Sequence, residues 1–163
     1  MDATPRSKQD DPEVLLGALL RTAYRAFMDE FEPGMAAAGY ADVRLTHTPV
    51  LQPLSVQPEG LRASELAAMA HMTKPSMGYL IDYLEQCGYV ERLPDPTDGR
   101  AQLVRLTPRG WEMTRAGRQL IWQAEDRWAA LVGQDQVEGL RQHLRTVLAA
   151  LQHETRSDTQ SKP

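Results

Sequence analysis

Between residues 61 and 110 the chain runs through a short helix, a tight break, a second helix closed by glycine, and two β-prone runs around a turn. That order predicts a mainly α (α+β) fold: a winged helix-turn-helix with a two-stranded β-wing, flanked by N- and C-terminal helices that form a dimerisation region. Three observations carry the prediction. Met77, Ile81 and Leu84, with Leu80 beside them, recur at three- and four-residue spacing and give one buried helical stripe. Gly88 follows that stripe as a left-handed stop. Asp98-Gly99 stands between runs 89–93 and 101–106, and Asp-Gly between such runs signals a hairpin.

Each element has its own signal. Residues 1–12 are a polar lead-in, expected to be disordered. Leu16, Leu19, Leu20, Tyr24, Phe27, Met28 and Phe31 set an amphipathic helix from residue 13 to about 31. Pro33-Gly34 is one place for it to end, but residues 35–38 favour helix and Gly39 is the better terminator. Residues 45–54 read as a short helix, with Pro49 in its first turn and Pro53 kinking or ending it. Residues 64–70 form the first helix of the pair, with Leu66, Ala67 and Met69 inward and a break at His71-Met72. Thr73 caps the second helix and Pro75 sits where its missing N–H costs nothing. The connection from Pro94 to Arg100 is longer than a two-residue turn.

Thr107-Pro108 repeats the cap-plus-proline signal and opens a helix to about residue 132, carrying Trp111, Leu120, Ile121, Trp122 and Trp128. Gly133 breaks it. A last helix, 135–153, places Val137, Leu140, Leu144, Val147, Leu148 and Leu151 on a stripe close to heptad spacing, which suits pairing with another helix. Residues 154–163 form a polar tail, expected to be loose. The chain therefore divides at 1–12, 13–60, 61–110, 111–153 and 154–163. The first and last helices both bear long apolar faces, and a symmetric dimer would cover them.

Composition narrows the function classes. The chain has 163 residues, 42% hydrophobic and 25% charged, ordinary for a globular protein. No apolar run approaches bilayer length and the polar start does not resemble a signal peptide, so a cytoplasmic location away from membranes is expected. One cysteine, Cys87, excludes an internal disulfide framework. His47, His71, His143 and His153 are scattered without a second ligand at metal-site spacing. No nucleophile–base set or phosphate-cradling glycine loop stands out, so neither enzyme, metal nor cofactor is expected. A net charge of −4 counts against a nucleic-acid partner. Locally the balance reverses, because residues 92–109 hold Arg92, Arg100, Arg105 and Arg109 against Asp95 and Asp98.

On these residues the chain resembles the MarR family of bacterial transcriptional regulators, from about Val14 to Leu151. The most specific part is Asp95-Pro96-Thr97-Asp98-Gly99-Arg100 running through Val104, Leu106, Thr107 and Gly110. It is similar to the family's DPxDRRxxxVxLTxxG signature, with Gly99 in place of the first paired arginine. The stretch Thr73-Lys74-Pro75-Ser76 through Leu80, Asp82, Leu84, Glu85 and Gly88 also resembles the family pattern. The resemblance implies a homodimer that binds double-stranded DNA at a palindromic operator, usually as a repressor, and is released by a small anionic or phenolic effector.

Candidate contacts follow. Arg100 at the hairpin tip suits an A·T-rich minor groove, and the resemblance pairs it with Asp98. Thr73, Lys74 and Ser76 stand at the leading end of the second helix, with Tyr79 and Tyr83 on the face opposite Met77, Ile81 and Leu84. Family members often carry arginine where Tyr79 stands, so a bidentate guanine contact is missing. Arg62, Arg92 and Arg105, with Lys74, are candidate phosphate contacts. An effector pocket would involve Tyr24, Met28, His47 and Trp111; ordinary core packing explains these four equally well. Cys87 reads as a half-buried apolar residue rather than a redox sensor. The alternative function is a winged helix that binds a protein partner and has lost its DNA role.

Overall fold

The computed structural model describes residues 15–160, with side chains through residue 151. The expected lead-in 1–12 lies outside the described residues. Elements run α1 (Leu16–Ala37), a 3-10 turn (Leu45–His47), α2 (Thr48–Leu54), β1 (Leu61–Arg62), α3 (Ala63–Met69), α4 (Lys74–Gln86), β2 (Val90–Asp95), β3 (Asp98–Leu106), α5 (Pro108–Val132) and α6 (Gln134–Gln160). They form two compact units that divide after Leu120, within α5.

The first unit holds the winged helix. Leu66, Met77, Ile81 and Leu84 are fully buried with Val50, Leu54, Tyr89 and Val104 in one core, so the α4 stripe does what its spacing predicts. Met69 departs from expectation and is exposed. The antiparallel sheet has order β1-β3-β2. β1 is a third strand beyond the two expected, pairing Leu61 with Val104 and Arg62 with Leu103. Two residues are too few to show an alternating pattern, which is why it was not foreseen.

The wing also differs from its prediction. Instead of a long loop, β2 and β3 pair out to Asp95 opposite Asp98, leaving only Pro96-Thr97 as the turn. Pro94 is tolerated because β2 is an edge strand that need not donate its N–H. An irregularity at Pro94/Asp95 shifts the register there.

Caps fix the helix ends. Thr73 Oγ1 accepts from the Ser76 N–H at 3.3 Å, as expected of a capping threonine. At the far end Gly88 adopts φ +75°, with its N–H on Glu85 O and the Tyr89 N–H on Leu84 O, both 2.9 Å. Thr107 Oγ1 donates to Gly88 O at 2.6 Å and accepts from the Gly110 N–H at 3.1 Å, tying the start of α5 to the stop of α4. Gly110 is obligatory here: a Cβ would lie 2.1 Å from the Tyr89 carbonyl oxygen. α1 continues through Pro33 to Ala37, past the residue-31 end, and Gly39 follows at φ +89°.

The second unit is the end of α5 and α6, broken at Gly133, which has φ +95°. Ala124 and Val137 are buried, and Arg141 pairs with Glu125 at 2.8 Å and with Glu138. α6 runs to Gln160, beyond the residue-153 end, so the backbone of most of the expected loose tail is helical.

Candidate nucleic-acid interface

α4 turns its buried stripe inward and leaves Lys74, Ser76 and Tyr79 outward at its capped end; Tyr79 is 76% exposed. Thr73 is exposed too, and its hydroxyl lies 2.8 Å from that of Ser76. These four exposed side chains stand together at the leading end of α4, a polar end suited to phosphate or base edges.

Tyr83 is different. Its phenol donates to the Asp42 backbone carbonyl at 2.9 Å, and its ring stacks on His47 at 4.8 Å between centroids. Burial is the main reason its pKa is raised. The residue expected to face outward is thus tethered to the segment that precedes α2. Asp42 binds twice, because its carboxylate also accepts from Tyr89 at 2.7 Å. Arg109 lies over the Tyr89 ring at 5.0 Å and donates to its hydroxyl at 3.3 Å. Desolvation and the Asp42 bond push the Tyr89 phenol up to about 12, so it remains a donor. This Asp42–Tyr83–Tyr89 cluster was not foreseen: its members lie 41 and 47 residues apart.

At the wing tip Arg100 is exposed, and among the described residues its guanidinium forms no ion pair. The expected Asp98–Arg100 side-chain pair is absent. Asp98 Oδ1 instead accepts the Arg100 backbone N–H at 3.1 Å, and its Oδ2 lies 3.9 Å from Arg62.

The other arginines are engaged. Arg62 binds the buried Asp95 carboxylate through Nε at 2.7 Å and Nη2 at 2.5 Å. Arg92 binds Asp82 at 2.5 Å and Glu85, both on α4. Arg105 binds Glu91 across the β2–β3 ladder at 2.7 Å. Each of these three candidate phosphate contacts already faces a carboxylate, which lowers its pull on an anion. Lys74 and Arg100 are the expected cations that remain outward.

The effector candidates differ in burial. His47 is buried, its Nδ1 accepts the Arg44 N–H at 3.0 Å, and desolvation lowers its pKa, so it is a neutral packing group. Trp111 is half-buried against the winged-helix core. Met28 is buried outside that core cluster, and Tyr24 is 52% exposed. Cys87 is half-buried with its pKa raised by burial, the opposite of a reactive thiolate. Among the described residues no three potential metal ligands come together, and no helix is long and apolar enough to cross a membrane.

A capped helix with a polar outer face beside an arginine-tipped hairpin defines a winged helix-turn-helix protein. A model of the MarR family matches residues 41–101, which take in this whole surface. A DNA-bound structure of the transcriptional repressor CouR superposes with a TM-score of 0.70 at 26% identity, covering 87% of this chain and 99% of that one. A MepR–DNA complex from S. aureus has a TM-score of 0.67 at 19% identity over 85% of this chain and 99% of that one, and wild-type E. coli MarR gives 0.64 at 24% over 83% and 98%; both show the fold. An HTH-type transcriptional regulator of Mycobacterium tuberculosis is 37% identical over 65 residues, 40% of this chain and 43% of that protein, so the match spans less than half of that relative. Over residues 41–101 the chain is similar to the MarR family, and it shares the winged-helix fold of that family's solved structures.

Proposed function

We propose that the protein is a homodimeric, sequence-specific DNA-binding transcriptional regulator, acting as a repressor at a palindromic operator and released by a small anionic or phenolic effector. The observation that carries the DNA reading is the outward, unpaired Arg100 on the wing beside the exposed Thr73, Lys74, Ser76 and Tyr79 surface of α4. Two such surfaces about 34 Å apart would enter successive major grooves, with each Arg100 in the flanking minor groove. The CouR and MepR structures, both described as bound to DNA, support the same reading.

Dimerisation is supported by apolar faces. On α1, Leu16, Leu19, Leu20 and Tyr24 are 40–63% exposed, and on α6 Leu140, Val147, Leu148 and Leu151 are 46–57% exposed. Side chains of this size in rows favour an interface over solvent. An effector that binds one dimer geometry better than the other would shift the spacing of the two α4 helices and so release DNA.

Selection of bound fragments from genomic DNA, followed by binding to the selected duplex, tests this. Arg100→Ala should weaken binding by roughly 1–3 kcal/mol with the dimer intact. Undiminished binding would remove the wing from the interface. The net charge of −4 favours a second reading, a protein-binding winged helix. Affinity that falls steeply with added salt belongs to the regulator alone.

A further inference from the structure

Residues 94–100 form the exposed end of the wing, and Asp95 is the one buried side chain among them. No apolar packing holds that end; a polar set does. Asp95 Oδ1 accepts the Thr97 N–H at 2.8 Å and the Thr97 hydroxyl at 2.7 Å. Its Oδ2 takes the Arg62 guanidinium, which also reaches Thr97 Oγ1 at 3.5 Å. Arg62 stands on β1, on the other side of β3 from Asp95, so the ion pair spans the sheet and joins the hairpin end to the strand that leads into α3. Backbone at Arg62 is fixed in turn, because its N–H donates to Glu65 Oε2 at 2.6 Å.

We propose that Arg62 and Asp95 form a clasp that aims the wing, so that Asp95, an acid beside a DNA-facing surface, strengthens DNA binding by positioning Arg100. Simple electrostatics gives the opposite sign. An acid near phosphates repels them, and its neutralisation should tighten the complex. The clasp reverses this, because a hairpin end without its anchor spends less time with Arg100 in reach of the groove. The Arg62 charge then serves DNA binding through Asp95 rather than at a phosphate.

The inference rests on the DNA-binding reading for one of two measurements. In the first, Asp95→Asn weakens binding to the selected duplex about fivefold or more, and Arg62→Ala adds little to it in the double variant. Asparagine keeps an acceptor for Thr97 but loses the ion pair. Tighter or unchanged binding by Asp95→Asn overturns the proposal. The second needs no DNA. In the free protein, Arg62→Ala speeds amide exchange at Thr97 and Arg100 roughly tenfold, while Ile81 and Leu84 in α4 are unaffected, and Arg62→Lys restores part of the protection. Unaltered exchange at the hairpin end overturns the clasp. Looser amides in a protein whose parent never binds DNA would retain the clasp and remove the regulator instead.

Discussion

Single residues decide how the pieces of this molecule meet. Gly110 lets α5 start against the Tyr89 carbonyl at a distance no side chain permits. Gly110→Ala should cost about 3 kcal/mol or more, since the obstruction is backbone, and urea unfolding would register it as a lower midpoint. Asp95 sets an acid limit. Its bonds from the Thr97 hydroxyl and N–H, with Arg62 behind them, depress its pKa to about 2. A depressed carboxylate contributes stability above its unfolded pKa of about 3.9 and loses it as pH falls towards the folded value. The wing should therefore loosen between about pH 4 and 2, visible as faster exchange at Thr97, and Asp95→Asn should erase that dependence. The expected Asp98–Arg100 pair failed at this scale: residue spacing identified the right tip but not which acid binds which arginine.

At the scale of elements, helices were the most legible part. The α4 stripe, its Thr73 cap and its Gly88 stop are local signals, and all three were readable. Strand pairing was harder, because β1 is two residues long and its partner is about 40 residues away in sequence. The turn at Pro96-Thr97 was misjudged because side-chain bonds to Asp95, invisible to periodicity, close it tightly. Tyr83 shows the same limit. Helical spacing assigns its face correctly, but only the fold brings Asp42 and His47 against it. Tyr83→Phe removes one neutral hydrogen bond, so unfolding free energy should drop by about 1 kcal/mol with little change in operator sequence preference. Altered preference in a repeated selection would return Tyr83 to the base-reading surface.

For the whole molecule, the salient fact is apolar surface at both ends of the described chain. The α1 and α6 faces were legible from their spacing, and their exposure is what an association surface requires. Leu148 is 57% exposed, so a charge there disturbs little in a lone subunit. Leu148→Glu should leave the helical circular dichroism intact, turn the proposed dimer into monomer by sedimentation, and abolish the proposed operator binding. A dimer that survives would move the interface off α6. The proposed effector site is the least legible feature. Tyr24, Met28, His47 and Trp111 differ widely in burial, and aromatic and apolar residues at helical spacing fill cores as readily as pockets.

The elbow between α3 and α4 is built on His71, which has φ 52°, where glycine is the usual occupant. Replacing it with glycine would relieve about 1 kcal/mol of steric strain. The unfolded chain would gain conformational freedom worth roughly 0.4–1 kcal/mol in the opposite direction. The two nearly cancel, so folding exerts little preference at this position. Imidazole and glycine are therefore interchangeable at the joint between the two helices without endangering the scaffold, whereas a β-branched side chain there would be strained.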